Sequence, residues 1–196
     1  MKKYIVIFIA LAFSVIANAQ NELQMIGNTI PAVQDTFFGI KLGSGQTEES
    51  INAAIGNKGT FFSDHVVSFG KLITYKDIDF AGKKCDYCDF HVTGKGQFYK
   101  LNFYISLSDN NLEDSESADE SYESFRSKLA SKYGERREIT DENEKQVFYV
   151  GSNGICLRLS SRRIQSNGGQ YRRYVTLNYF DRKINDNLDT QNLDEL

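Results

Sequence analysis

The sequence predicts an α+β protein of two tandem repeats. Each repeat is a helix followed by an antiparallel meander, and the two helices pack on one face of the sheet. Three observations carry this. Strand-length runs of alternating or aromatic-rich sequence recur along the chain, and two segments among them have helical periodicity. Each of those two is followed by strands that glycine-bearing turns separate. With 196 residues, 40% hydrophobic and 25% charged, the chain can bury a real core and is too apolar for wholesale disorder.

Taken in order, residues 1–19 read as a secretory signal peptide. Lys2 and Lys3 form its basic start, Tyr4 to Ile16 its apolar run, and Ala17-Asn18-Ala19 its small-residue cleavage site. As a helix that apolar run reaches about 20 Å, against roughly 30 Å of hydrocarbon, so a membrane anchor is disfavoured. No cysteine stands at the cleavage site, which argues against a lipid anchor. The short, lysine-led leader has bacterial character. A mature protein starting at Gln20 is expected to be periplasmic or secreted, with no transmembrane anchor. The formal net charge of -3 becomes -5 once Lys2 and Lys3 are removed. A nucleic-acid partner calls for a basic excess, so that class is set aside.

Residues 20–35 are a polar lead-in holding Pro31, and the domain proper is expected over 36–182, with repeats at about 36–108 and 117–182. Phe37 to Leu42 reads as a strand. Thr47 is placed to cap a short helix with Ile51, Ala54 and Ile55 on its apolar face, and Gly56 ends it. Phe61 to Phe80 holds two strands with a break near Gly70, followed by strands at Cys88 to Thr93 and Phe98 to Leu107. Asp109 to Glu120 reads as an acidic, solvated loop ending in a capping box of Ser117 and Glu120. The helix after it carries Tyr122, Phe125, Leu129 and Tyr133 on one face, and Gly134 closes it. Strands follow at Lys145 to Val150, Ile155 to Arg162 and Tyr171 to Phe180. Residues 183–196 read as a disordered acidic tail.

Cys85-Asp86-Tyr87-Cys88 is the motif with the most chemical promise. As a pair, Cys85 and Cys88 are the disulfide candidate, and a thiol–disulfide redox protein is the alternative functional reading. Against it, Cys88 runs into strand-like sequence, Asp86 and Asp89 disfavour a thiolate, and the one proline precedes the motif. Adding His91 gives the start of a zinc spacing with no second ligand pair downstream. Haem attachment fails because residue 89 is Asp. No phosphate-binding glycine loop or calcium loop is present, so no cofactor, metal or catalytic residue is assigned.

Strand parity supplies the candidate binding face. If Cys88, Phe90, Val92, Leu101, Phe103 and Ile105 point into the core, then Tyr87, Asp89, His91, Lys100, Asn102 and Tyr104 point out. In the second half, Ile155, Leu157, Leu159, Val175 and Leu177 point in, and Arg158, Ser160, Arg162, Arg172, Tyr174 and Thr176 point out. Helices cover the apolar face, so the other face meets solvent. Tyrosine and arginine are enriched at binding hot spots, although both also serve an ordinary solvated sheet. Tyr87, His91, Lys100, Tyr104, Arg158, Arg172 and Tyr174 are therefore the candidate binding residues. The expected partner is another protein or a cell-envelope component.

The element order from Phe37 to Arg182 resembles the β-lactamase-inhibitor-protein-like architecture, small exported proteins of two helix-plus-meander repeats. Phe80-Ala81-Gly82 between strands and Lys132-Tyr133-Gly134 at the close of the second helix belong to that resemblance. It implies a fold and an exposed sheet face that grips a partner, and no functional residue is carried over from it. The function expected is that of an exported binding or inhibitor-type module.

Overall fold

A computed structural model describes residues 30–110, 112–165 and 169–194. The leader and most of the lead-in lie outside the described residues. Where one strand was expected, Phe37 to Leu42 forms a hairpin of β1 (Thr36–Phe37) and β2 (Ile40–Lys41). Phe38 and Gly39 between them have φ of 53° and 85°, and two successive positive φ values make the tight turn that reverses the chain. Helix α1 (Glu48–Ile55) is capped by Thr47, whose hydroxyl accepts the Ser50 N–H while Ser50 Oγ accepts the Thr47 N–H. Strands β3 (Thr60–Val67), β4 (Gly70–Phe80), β5 (Lys83–Thr93) and β6 (Phe98–Ser108) form the first meander. Helix α2 (Leu112–Tyr133) precedes β7 (Ile139–Thr140), β8 (Glu144–Val150), β9 (Ile155–Gln165) and β10 (Tyr171–Asp181). Helix α3 (Arg182–Asp194) follows. None of the described helices is long and apolar enough to cross a membrane.

One antiparallel sheet of eight strands holds both meanders, in the order β3-β4-β5-β6-β10-β9-β8-β7. Its seam is the β6–β10 pair, in register from Arg172 opposite Ser108 to Phe180 opposite Lys100. All the residues expected to point inward are buried: Cys88, Phe90, Val92, Leu101, Phe103 and Ile105 in one half, Ile155, Leu157, Leu159, Val175 and Leu177 in the other. Ile51 and Ile55 of α1 and Tyr122, Phe125 and Leu129 of α2 join the same core cluster, as does Phe37 of the hairpin. Phe80 stacks on Phe103 with ring centroids 3.8 Å apart. Burying such side chains stabilises by about 1.5–3 kcal/mol each, which is why helices and hairpin occupy this face.

Two further segments differ from the reading of the sequence. The acidic loop expected from Asp109 to Glu120 is largely the first turns of α2, so Ser117 and Glu120 lie within the helix and form no capping box at its start. Ala118 is fully buried one turn before Tyr122, extending the apolar stripe upstream, and acidic residues suit a helix N-terminus. The acids are also paired. Asp109, fully buried at its carboxylate, sits 2.9 Å from Arg163 and 3.2 Å from Arg173 and accepts from the Ser115 hydroxyl. Asp119 bonds Arg173 at 2.9 Å and Lys145 at 2.7 Å. The second correction is the tail. Of residues 183–196, expected to be disordered, those up to Asp194 lie in α3, because Asp181 Oδ1 accepts the Ile184 N–H at its start and Arg182 pairs with Asp186 one turn on.

Burial alone would raise the Asp109 carboxyl, but Ser115, Arg173 and Arg163 outweigh it and hold the group below its ordinary range. A lowered folded pKa contributes stability above the unfolded pKa and loses it as pH falls through the folded value. Asp109→Asn is expected to lower the unfolding free energy at neutral pH by about 3 kcal/mol in urea titration. The gap from wild type should narrow as the pH drops below the carboxylate range. Equal stability at neutral pH would mean that the cluster contributes nothing.

Candidate functional site

The face away from the helices carries polar side chains in rows that cross the strands. Thr74, Asp89, Asn102, Asn178, Arg158 and Phe148 stand opposite one another on β4, β5, β6, β10, β9 and β8. The neighbouring row runs Lys76, Tyr87, Tyr104, Thr176, Ser160 and Gln146. Strand alternation fixes these rows, since each core residue on a strand sends its neighbours to the opposite face. Over the seam the rows enclose a shallow trough of about 540 Å³.

Five of the seven candidate residues line this trough: Tyr87, Lys100, Tyr104, Arg158 and Tyr174. The other two do not. His91 stands half-buried in the row beyond, opposite Lys100, with its Nε2 3.0 Å from Asn102 Nδ2. Arg172 is exposed at the margin and donates to Ser106 Oγ at 3.2 Å. Asp89, Asn102, Ser160, Arg162, Thr176 and Asn178 also line the trough. Asn178 is the residue the sequence reading passed over. It stands one more alternate position along β10 after Arg172, Tyr174 and Thr176, so the same parity reaches it. A second omission is Phe62 on β3, 49% exposed, which meets Tyr87 edge-on at 5.7 Å while Lys76 Nζ lies 3.5 Å over its ring.

The floor contains a hydrogen-bond chain. Thr74 Oγ1 donates to Asp89 Oδ1 at 2.7 Å, and the Tyr104 hydroxyl is close enough to the same carboxylate to hold its pKa down. The Tyr104 oxygen accepts from Asn102 Nδ2 at 2.8 Å. Burial, with the Lys100 charge nearby, pushes His91 down to about 3, so it is neutral, and its Nε2 pairs with Asn102 Nδ2, accepting in the tautomer that carries the proton on Nδ1. Burial raises Asp89, and raises Tyr104 with help from the Asp89 charge. Asn102 therefore turns its Oδ1 away from the chain, and that atom is buried with no hydrogen-bond partner among the described residues. The same holds for Asn178 Oδ1 and Arg158 Nε, the next two positions in the row.

The cysteines tell a different story. Cys85 and Cys88 are free thiols, both fully buried on β5, so the expected disulfide is not formed. Simple alternation would put residues three apart on opposite faces. Here both face the core, as do Ile78 and Tyr75 opposite them, because the strand pair changes face around Asp77, whose φ is 59°. Burial, reinforced by Asp86 and Asp79, pushes Cys85 up to about 12. Burial with Asp89 raises Cys88 as well. Neither thiol has the thiolate character that redox chemistry needs. His91 is on the trough side and the two thiols are on the core side, so the zinc spacing does not converge. Among the described residues no group of three or more His, Cys, Asp or Glu could hold a metal.

Comparison with family models, with curated proteins and with solved structures finds no match to this chain.

An unpartnered buried acceptor costs stability, whereas an apolar residue of similar shape removes the cost. Asn178→Val is expected to raise the unfolding free energy by about 1 kcal/mol, measured by urea titration. A loss of stability instead would mean that Asn178 Oδ1 is satisfied within the fold.

Proposed function

We propose that the protein is an exported binding module that engages its partner through the open sheet face. The observation that carries this reading is the row Asn102 Oδ1, Asn178 Oδ1 and Arg158 Nε, three buried polar atoms without partners side by side under one trough. Buried polar groups are almost always paired, and an unpaired cluster at an open surface is what an incoming molecule would complete. Tyr87, Tyr104 and Tyr174 supply apolar contact area with polar tips. The tandem reading is part of the proposal, with repeats at about 36–108 and 117–182. Its support is the order of elements, a helix before each four-strand run, and the meeting of the two runs at β6 and β10. The same order is what the β-lactamase-inhibitor-protein-like resemblance rests on. Export rests on the leader at 1–19, and the partner is another protein or a cell-envelope component. The rival, thiol–disulfide exchange at Cys85 and Cys88, has two fully buried thiols with raised pKa values against it.

Two measurements test the proposal. Tyr174→Ala is expected to weaken capture of the partner retained by wild type from an extracytoplasmic extract by about 1–3 kcal/mol, with little change in thermal stability. Tyr104→Ala should weaken it too and also destabilise the fold, because it strands Asp89 and Asn102. Retention of every partner at wild-type strength by both variants would leave an ordinary solvated sheet. For export, intact-mass analysis of protein from the same fraction should give a start at Gln20. Recovery only as full-length cytoplasmic protein would refute it.

A further inference from the structure

We infer that the trough takes an uncharged, hydroxyl-rich ligand of saccharide chemistry, laid across the strands over Asn102, Asn178 and Arg158. This rests on the open face being the binding surface and names what binds there. The unpartnered atoms set the requirement. Asn102 Oδ1 and Asn178 Oδ1, each on a side chain 4% exposed, are acceptors, and Arg158 Nε is a donor. Asn102 meets Tyr104 and His91 through one terminal atom of its amide, which leaves the other, Oδ1, for an incoming molecule. The three positions are on adjacent strands, so the ligand must offer donors and then an acceptor over about 10 Å.

Charge narrows the class. A carboxylate or phosphate would suit Arg158 but would set its charge against Asn102 Oδ1 and beside Asp89. An ammonium reverses the mismatch, meeting the two oxygens but lying near Arg158 and Lys100. An apolar ligand would leave all three atoms unpaired. A hydroxyl both donates and accepts, so a run of hydroxyls satisfies the row in either direction. Ser160 and Thr176, in the next row, are hydroxyls that adapt in the same way. Tyr87 and Tyr104 lie in that row as well, offering ring surface to the C–H faces of a sugar. A protein partner is favoured less. Protein interfaces place apolar groups at the centre and polar groups at the rim, whereas here the central row is polar. At about 540 Å³ the trough is also of the size of a small-ligand site.

The test is titration of the isotope-labelled protein with neutral cello-, malto-, manno- and chito-oligosaccharides at millimolar concentration, followed by amide NMR. At least one series is expected to give saturable shifts at Asn102, Tyr104, Tyr174 and Asn178. Asn178→Val and Arg158→Met should each weaken that binding about tenfold or more, although Asn178→Val is expected to be the more stable protein. Failure of every series, or binding that survives both substitutions, overturns the inference. If the saccharides fail while Tyr174→Ala still releases a captured protein, the saccharide assignment falls and the binding face stands. If Tyr104→Ala and Tyr174→Ala also keep every partner, both fall.

Discussion

The pairing of β6 with β10 is the constraint on which the rest of the structure depends. It joins two runs of strands into one sheet, and its register decides which side chains meet across the seam. Leu101 opposite Tyr179, Phe103 opposite Leu177 and Ile105 opposite Val175 face the helices and hold the core together. A one-residue slip would expose that set and bury the polar one, so the core enforces the register strongly. The same register places Asn102 opposite Asn178 on the open face. The trough is thus a by-product of where the apolar residues must go, and its polar floor is as fixed in position as the core behind it.

On the open face, polar groups are buried at a cost in stability. Much of the floor is satisfied: Thr74 bonds Asp89, and Asn102 bonds both Tyr104 and His91. Asn102 is left with an oxygen that nothing described in the protein meets, and the next two strands repeat the situation. Valine or threonine would suit these central strand positions better on packing grounds. Among the described residues, Arg136 Nε and Ser161 Oγ are also buried without a partner, but only on the open face do such atoms stand on three adjacent strands in one row.

Much of this was legible in the sequence. Period-two alternation located the strands and sorted inward from outward residues on both sides of the seam, because one face of the sheet is buried and the pattern follows. Residues whose surroundings are set by distant segments were harder to read. Asp109 and Asp119 look solvated until Arg163 and Arg173, far along the chain, come to meet them, and Ala118 is too small to signal a buried helix face. The tail gave no periodicity, yet a single capping carboxylate at Asp181 starts its helix. Cys85 and Cys88 were misread because local backbone geometry at Asp77 changes the face, which parity cannot foresee. That the row on the floor lacks partners is likewise invisible in sequence, since it takes three strands in register to bring it together.

A crystal structure of the protein at atomic resolution tests the central claim most directly. Asn102 Oδ1, Asn178 Oδ1 and Arg158 Nε should each be bonded to a molecule lying in the trough, solvent or ligand, with Tyr104 bridging Asp89 and Asn102 beneath. Side chains of the protein itself closing over the row and pairing with all three atoms would contradict it, because the open face would then be satisfied without a partner.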